Sequence, residues 1–541
     1  MDQAIKTLAP IENFLRVVEA EHKKRQTSNS KTVADQPEEI EQIAFWYEKV
    51  RMAIDYREDH LLRRTASRRI LKRLLILEGR KKEVTDILLK ELMMGGYVKK
   101  SDLNEEKFLK VNKALNKYVY AISFTHQQAS FIGSNRSEIK RWLVTLASFE
   151  IEEILYPLLE RRALIDATYK LLAPRIDTGE YNVSNKQRNL QTYIAVYRSL
   201  AKADRAMVTS EVFQIYFPDW FEEPSQQRIE EIINDSPKII KTVRAQATNI
   251  LASRIFYAIK KETLNAHILY EVAMENSSDI RSIVSQEYLL DEFVASKVKE
   301  EGERVQGKLK KRIKRGIIYI LLTKMFLAVL LEIPWEKYFG GGINYVTLSI
   351  NILFPPIFMV LLATSARLPG EDNAKAIIEG VKNFIYDSPS EDEVKKVNVY
   401  PLAYSKLSEK TLNVIYFTIF SLVFGGLIWF LYFFKFNFLS GAIFFIFMAT
   451  VSFFGALIRQ PIRDLTVTKE KEGMGSLLFD TLLLPFVRFG RWISTNFSRI
   501  NVFMFLLDVL IEAPFKMIMR LFESWINFLK KKREEVDQQF G

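Results

Sequence analysis

The chain has 541 residues, of which 48% are apolar, with 39 Phe, no Cys and a formal net charge of +12. The lack of cysteine excludes disulfides, thiolate catalysis and cysteine-ligated metals, and the length leaves room for two or three domains. The positive balance favours an anionic membrane surface as the partner, with nucleic acid second.

The first 301 residues are predicted to be helical. A short helix and a polar linker occupy 1–37, and helical spacing of apolar residues dominates 38–301. The N-terminus lacks the basic segment and apolar run of a signal peptide, so we expect this part to stay in the cytoplasm. The sequence therefore predicts an all-α fold that begins with a cytosolic α-helical domain over 38–301.

One stretch of this domain, residues 63–82, is strongly basic and has leucines interleaved with its charges. Such a helix can bind anionic lipid, nucleic acid or an acidic partner. Alternatively, it is a core helix whose basic face forms ion pairs with nearby acids such as Glu38, Glu39 and Glu41. We favour the core helix, so nucleic acid is not the expected partner. The candidate basic face consists of Arg63, Arg64, Arg68, Arg69, Lys72 and Arg73.

A basic collar over 302–315 precedes the first strongly apolar helix. Basic residues next to a membrane span stay on the cytoplasmic side and attract anionic phospholipid head groups. The collar charges are Lys308, Lys310, Lys311, Arg312, Lys314 and Arg315.

A four-helix transmembrane region is predicted over 316–458, since a span needs about 20 apolar residues. Pro355 and Pro356 lie near the centre of the second span and predict a kinked or broken helix. The spans are 316–333, 345–364, 412–434 and 438–458, and a cytoplasmic loop covers 365–411.

Loop charges predict the orientation of these spans. The short loops 334–344 and 435–437 carry one basic residue each, whereas 365–411 and the stretch after 458 are richer in Lys and Arg. By the positive-inside rule, we expect a multi-pass protein of the cytoplasmic (inner) membrane with both termini in the cytoplasm.

The C-terminal part, 459–541, is predicted to form amphipathic membrane-associated helices at 476–494 and 499–530. The second carries one narrow polar stripe opposite a wide apolar face. Whether these segments lie in the interface, re-enter the bilayer or span it stays open.

Charged residues within apolar segments are the candidate functional side chains. Lys324 lies near the centre of span one, where a charge costs roughly 3 kcal/mol unless it is paired or hydrated. Asp480, Asp508 and Glu512 are the candidate partners, and Lys516 extends an ion ladder from the last two. Two interpretations stay open, a proton or cation relay and a structural ion pair.

Other chemistry is not expected. The four histidines are far apart in the sequence, so neither a metal site nor a histidine base is predicted. A G-x-x-x-x-G-K match at 302–308 is rejected as a phosphate loop because Leu309 replaces the required Ser or Thr. We expect no enzyme activity and no cofactor.

Short segments resemble a group of bacterial integral membrane proteins that have a large helical cytosolic domain and no assigned activity. The resemblance rests on Tyr47–Arg51, His60–Arg64, Phe354–Pro356, Pro369–Glu371 and Glu512–Lys516. It implies the architecture of most of the chain and carries no reaction, ligand or partner.

These patterns favour a non-enzymatic membrane scaffold or envelope-organising protein. Whether its cytosolic domain forms a homo-oligomer or binds a protein partner stays open. The rival hypothesis is an ion- or proton-coupled transporter that uses the intramembrane charges and a broken second span. A third hypothesis is a membrane-tethered binder of nucleic acid or another anionic partner.

Overall fold

A computed structural model describes residues 7–28, 58–127, 134–179, 183–339, 342–364, 369–386, 397–399, 406–468 and 474–499. The chain divides into two compact units. Unit 1 comprises Met1–Glu301 and Gly370–Ala403, and unit 2 comprises Gly302–Pro369 and Tyr404–Gly541.

Helices build nearly all of the described part of unit 1. A π-helical turn, Lys72–Leu77, follows α2, and two-residue strands β1 (Ile176–Asp177) and β2 (Val397–Asn398) form a parallel pair. The helices are α1 (Ala9–Ser28), α2 (Asp59–Leu71), α3 (Val84–Met94), α4 (Glu105–Gln127), α5 (Ser134–Leu155), α6 (Leu159–Leu172), α7 (Asn185–Leu200), α8 (Arg205–Tyr216), α9 (Gln226–Asn234), α10 (Ser236–Ala247), α11 (Ile250–Ala258), α12 (Lys260–Glu275) and α13 (Ile280–Ser285).

The next helix, α14 (Glu287–Leu327), begins in unit 1 and ends in unit 2. A π-helical turn, Ala328–Glu332, links it to α15 (Ile333–Phe339). Unit 2 further contains α16 (Tyr345–Thr364), α18 (Lys406–Phe433), α19 (Phe438–Asp464) and α20 (Met474–Arg499), while α17 (Glu371–Tyr386) belongs to unit 1.

Side-chain caps start several of these helices where the sequence places them. Ser184, Asp204 and Asn249 each accept a hydrogen bond from a backbone N–H in the first turn of the following helix. Pro237 stands in the first turn of α10, where its missing N–H is not needed. Local capping therefore reinforces the boundaries that apolar spacing predicts.

The core of unit 1 is apolar and rich in aromatic rings. Phe213 is fully buried and makes edge contacts with Trp142 at 5.1 Å and with Trp220 at 5.8 Å between ring centroids. α4 and α2 both pack on α5, and α10 packs on α8. This arrangement places α5, α8 and α10 side by side at one surface of the unit.

The predicted loop 365–411 contains a helix that packs in unit 1. α17 lies against α12, where Gly380 closely approaches Asn265, and Lys382 pairs with Glu287 at 2.9 Å. A Cβ at position 380 would lie 2.3 Å from the Asn265 amide nitrogen, so this contact needs glycine. The chain thus returns to unit 1 after the second apolar helix, α16, and leaves it again before the third, α18.

Unit 2 has its own apolar core. Leu309 and Ile320 of α14, Met359 of α16, and Val451 and Ile458 of α19 belong to one buried cluster. α16 and α20 both pack on α19.

Close contacts of glycine on α19 and α20 allow this packing. A Cβ at Gly490 would lie 2.2 Å from the carbonyl oxygen of Ala449, and one at Gly455 would lie 2.8 Å from Leu362. Small residues at such contacts let apolar helices approach closely.

The predicted all-α fold is confirmed for the described residues, in which the only strands are β1 and β2. Four helical segments are long and apolar enough to cross a membrane: Glu287–Tyr338, Tyr345–Ala363, Asn413–Phe433 and Phe438–Asp464. α16 continues through Pro355 and Pro356, so the second segment is not broken there. The predicted segment 476–494 lies within α20, and all but the first residue of 499–530 falls outside the described residues.

Candidate functional site

The inward stripe of α14 and α15 changes from apolar to charged along its length. Leu309 and Ile320 are buried on this stripe, and Lys324, Ala328 and Glu332 continue it at four-residue intervals. The neighbouring positions are mostly exposed apolar side chains, as on a helix that faces lipid on its other sides. Lys324 and Glu332 therefore point into the helix packing of unit 2.

The π-helical turn at 328–332 brings these two side chains together. In a regular α-helix, eight residues make about 2.2 turns, so Glu332 would lie about 80° around the helix from Lys324. An i→i+5 turn takes more residues per turn and reduces this offset. The Lys324 Nζ lies 2.7 Å from the Glu332 Oε1.

The ion pair is closed to the surface. The Lys324 side chain is 0% exposed and that of Glu332 is 1% exposed. The ammonium group also lies 5.0 Å from the centre of the Phe447 ring, a cation–π distance. Pairing two opposite charges in this way removes the net charge that would otherwise be buried in an apolar layer.

Residues of two other helices complete the polar site. Asn351 of α16 donates its Nδ2–H to Glu332 Oε2 at 2.6 Å and to the Ser440 carbonyl oxygen of α19 at 3.3 Å. Within the described part of the chain, Asn351 Oδ1 and Ser440 Oγ are buried and have no hydrogen-bond partner. The site thus joins three helical segments and contains two buried side-chain oxygens without a described partner.

Glu336 connects the same helices one turn further along. Its Oε2 accepts a hydrogen bond from the Asn344 backbone N–H at 3.0 Å, and its Oε1 accepts one from Asn437 Nδ2 at 3.2 Å. Asn344 and Asn437 in turn cap the N-termini of α16 and α19. A carboxylate is favoured at helix N-termini because the backbone N–H groups there carry partial positive charge.

Glu332 is the ion-pair partner that the structure shows for Lys324. Pairing of Lys324 with the candidate partners Asp480, Asp508 and Glu512 stays a prediction. Asp480 lies within α20, and Asp508, Glu512 and Lys516 fall outside the described residues. Glu332 was missed because it follows the apolar run as a boundary residue, although its spacing from Lys324 placed it on the same stripe.

The collar residues lie on the α14 surface. Lys308, Lys310, Lys311, Lys314 and Arg315 are exposed, whereas Arg312 is half-buried and has an interaction partner. Leu309 sits among them as part of the unit 2 core. An exposed basic ring next to apolar helix is the arrangement that attracts anionic lipid.

The basic helix of unit 1 is largely paired within the unit. Arg63 binds Glu152 through two nitrogens at 2.7 and 3.0 Å, and the buried Arg64 binds Asp204. Arg73 binds Glu91 and Glu78, Arg68 and Arg69 also have partners, and Lys72 is exposed. Apart from Glu78, the acids that pair with this face are distant in sequence, and the predicted partners Glu38, Glu39 and Glu41 lie outside the described residues.

A second buried ionic group stabilises unit 1. Lys117 donates to Glu150 at 2.8 Å and to the Trp220 carbonyl oxygen at 2.6 Å, and Tyr118 donates to Glu150 at 2.7 Å. Burial lowers the pKa of Lys117 and raises the pKa of Glu150 despite their mutual attraction. Every polar group of this network has a partner, which is the pattern of a structural element.

No described group of three or more His, Asp or Glu residues could hold a metal ion. Comparison of the chain with protein-family models, with curated proteins and with solved structures gave no match in any of the three.

Proposed function

We propose that the chain is a multi-pass protein of the cytoplasmic membrane that acts as a non-enzymatic scaffold or envelope organiser. The observation that carries this proposal is the closed Lys324–Glu332 pair, with 0% and 1% of the side chains exposed. A relay needs water or a substrate path to its charges, whereas a sealed and neutralised pair serves to hold helices together.

The path of the chain supports the proposed topology. The first two apolar helices lie between segments of unit 1 that end at Glu301 and resume at Gly370. A chain that crosses a membrane twice returns to the side it left, so unit 1 stays in one compartment. The turns before α16 and α19 meet at Glu336, and they carry few basic residues, as expected of the outer side.

Exposed apolar surface in unit 2 also supports a membrane location. The most apolar stretch of α18 has none of its residues buried within the chain, and Phe417, Leu422 and Trp429 on it are more than half exposed. Lipid or a second copy of the chain would cover such a face.

The absence of cysteine from the chain allows a direct test. Single cysteines at Ala328, which is buried on the stripe between the two charges, and at the exposed Lys337 would be treated with a membrane-impermeant maleimide in oriented vesicles. The scaffold proposal predicts labelling at 337 from one side only and none at 328. The same vesicles should show no protein-dependent proton or cation flux, and their diameter or clustering should change with protein density.

The second candidate function is ion or proton coupling. The observation that favours it is that two buried oxygens, Asn351 Oδ1 and Ser440 Oγ, have no partner among the described residues, and that Asn351 also contacts Glu332. Labelling at 328 together with flux that E332Q abolishes and K337M leaves intact would support this function and refute the scaffold.

A further inference from the structure

Unit 1 has a groove between α5, α8 and α10 in which several basic side chains form no ion pair among the described residues. Two adjoining cavities of about 310 and 500 Å³ share Arg205, Ile240 and Arg244 in their walls. Trp142 and Val243 line the first cavity, and Lys241 lines the second. The groove lies entirely within unit 1, so it can be analysed separately from the proposed membrane role.

The rim of this groove is basic and only partly neutralised. Arg141, Arg205 and Lys241 are exposed and have no ion-pair partner among the described residues, and Arg244 pairs with Glu138 at 2.6 Å. The arginines of the basic helix, by contrast, bind carboxylates of their own unit. Unpaired guanidinium groups that converge on one groove are suited to bidentate binding of external carboxylates.

The floor of the groove is apolar. Trp142, Ile240 and Val243 are 8%, 5% and 2% exposed, respectively. The Trp142 ring is fixed by its edge contact with Phe213. The floor therefore offers a fixed apolar surface beneath the basic rim.

We propose that this groove binds an acidic amphipathic segment of a partner protein. Carboxylates of the segment pair with Arg141 and Arg205, and an apolar side chain covers the floor at Trp142. A small oxyanion would satisfy the arginines and leave the floor bare, whereas a peptide with both kinds of side chain fills the length of the two cavities. Charge complementarity selects this occupant, since Glu138 is the only acid among the residues that line the two cavities.

The test uses the full chain in nanodiscs of zwitterionic lipid. The probe is a fluorescein-labelled peptide of repeating Glu and Leu, followed by anisotropy at physiological ionic strength, with a Lys and Leu peptide as the control probe. We expect R141E/R205E to weaken binding about tenfold or more, and R141K/R205K to weaken it less, because lysine keeps the charge but loses the bidentate geometry. W142F replaces the indole by a smaller ring and removes part of the apolar floor, so it should weaken binding, and its melting temperature separates this effect from a loss of folding.

The matched control is K186E/K261E, which makes the same charge change at two exposed positions of unit 1 outside the groove. Equal loss of binding in both double variants would overturn the proposal, because it would reflect net charge alone. Full competition by inorganic phosphate would instead indicate a small-oxyanion site. Binding of anionic vesicles that needs Arg141 and Arg205, without peptide binding, would indicate a lipid surface, and either result would also overturn the proposal.

Discussion

Removing one charge of the Lys324–Glu332 pair should destabilise unit 2 far more than removing both charges together. Each charge of the pair is essentially unexposed and lies 2.7 Å from the other. K324M leaves the Glu332 carboxylate without its counter-charge, and E332Q leaves the Lys324 ammonium alone. Loss of one partner of a buried pair costs about 3 to 5 kcal/mol, because the remaining charge stays buried.

The double variant K324M/E332Q should recover most of this loss. It buries a thioether and an amide in place of two charges, and the new amide oxygen still accepts the hydrogen bond from Asn351 Nδ2. We expect the double variant to be more stable than either single variant, with a coupling energy of about 2 kcal/mol or more. Units of this size lose about 2 to 4 °C of melting temperature per kcal/mol, so the single variants should melt about 6 to 20 °C lower.

The assay is thermal unfolding of the purified chain in detergent, followed by circular dichroism. K337M is the matched control, since Lys337 lies on the same helical segment and is exposed. Its effect should be within about 0.5 kcal/mol, as for most surface substitutions. If both single variants melt like K337M, or if their losses simply add in the double variant, the two charges are not a buried pair and the reasoning is wrong.

Three further predictions concern packing and titration. G490A should destabilise the α19–α20 contact by about 1 to 3 kcal/mol, because its Cβ would lie 2.2 Å from a carbonyl oxygen, whereas G425A has open space and should not. The melting temperatures of the two variants check this prediction. Burial, with help from a neighbouring arginine, lowers the pKa of His60 to about 4. The unfolded chain therefore takes up a proton that the folded chain does not, and stability should fall by up to about 3 kcal/mol as the pH decreases from about 6.5 to 4. A chemical-denaturation series against pH should show this slope, and H60Q should flatten it. K117M should cost about 3 to 5 kcal/mol of unit 1 stability because it leaves Glu150 buried without its counter-charge, and K117M/E150Q should recover part of it.

The positions of the apolar helices could be predicted from the sequence because composition determines them directly. The second predicted span, 345–364, coincides with α16, and the fourth, 438–458, lies within α19. The helix that contains most of the first predicted span, 316–333, begins well before it, since α14 continues without a break from Glu287 through the basic collar to Leu327. Charged residues do not end a helix when they project from one face, so a hydropathy boundary is not a helix boundary.

The polar partners could not be predicted, because they depend on contacts distant in the sequence. Arg63 meets Glu152 and Lys117 meets Glu150, and nothing in local spacing specifies either pair. Glu332 was within reach of sequence reasoning, since it lies eight residues from Lys324. The π-helical turn that aligns the two has no sequence signature that we recognise, and without it the pair would be poorly aligned around the helix.

Charge pairing distinguishes the structural charges of this chain from those that are available for binding. The carboxylates at Glu332 and Glu150 are buried and matched, and each joins helices of a single unit. Arg141 and Arg205 are exposed, unmatched among the described residues, and placed over an apolar floor. Pairing an exposed arginine inside the fold would stabilise it little, since surface ion pairs contribute about 0 to 1 kcal/mol. An unpaired guanidinium in a groove therefore costs the fold almost nothing and keeps its donors for a partner, which is why the groove is the first place to look for what unit 1 binds.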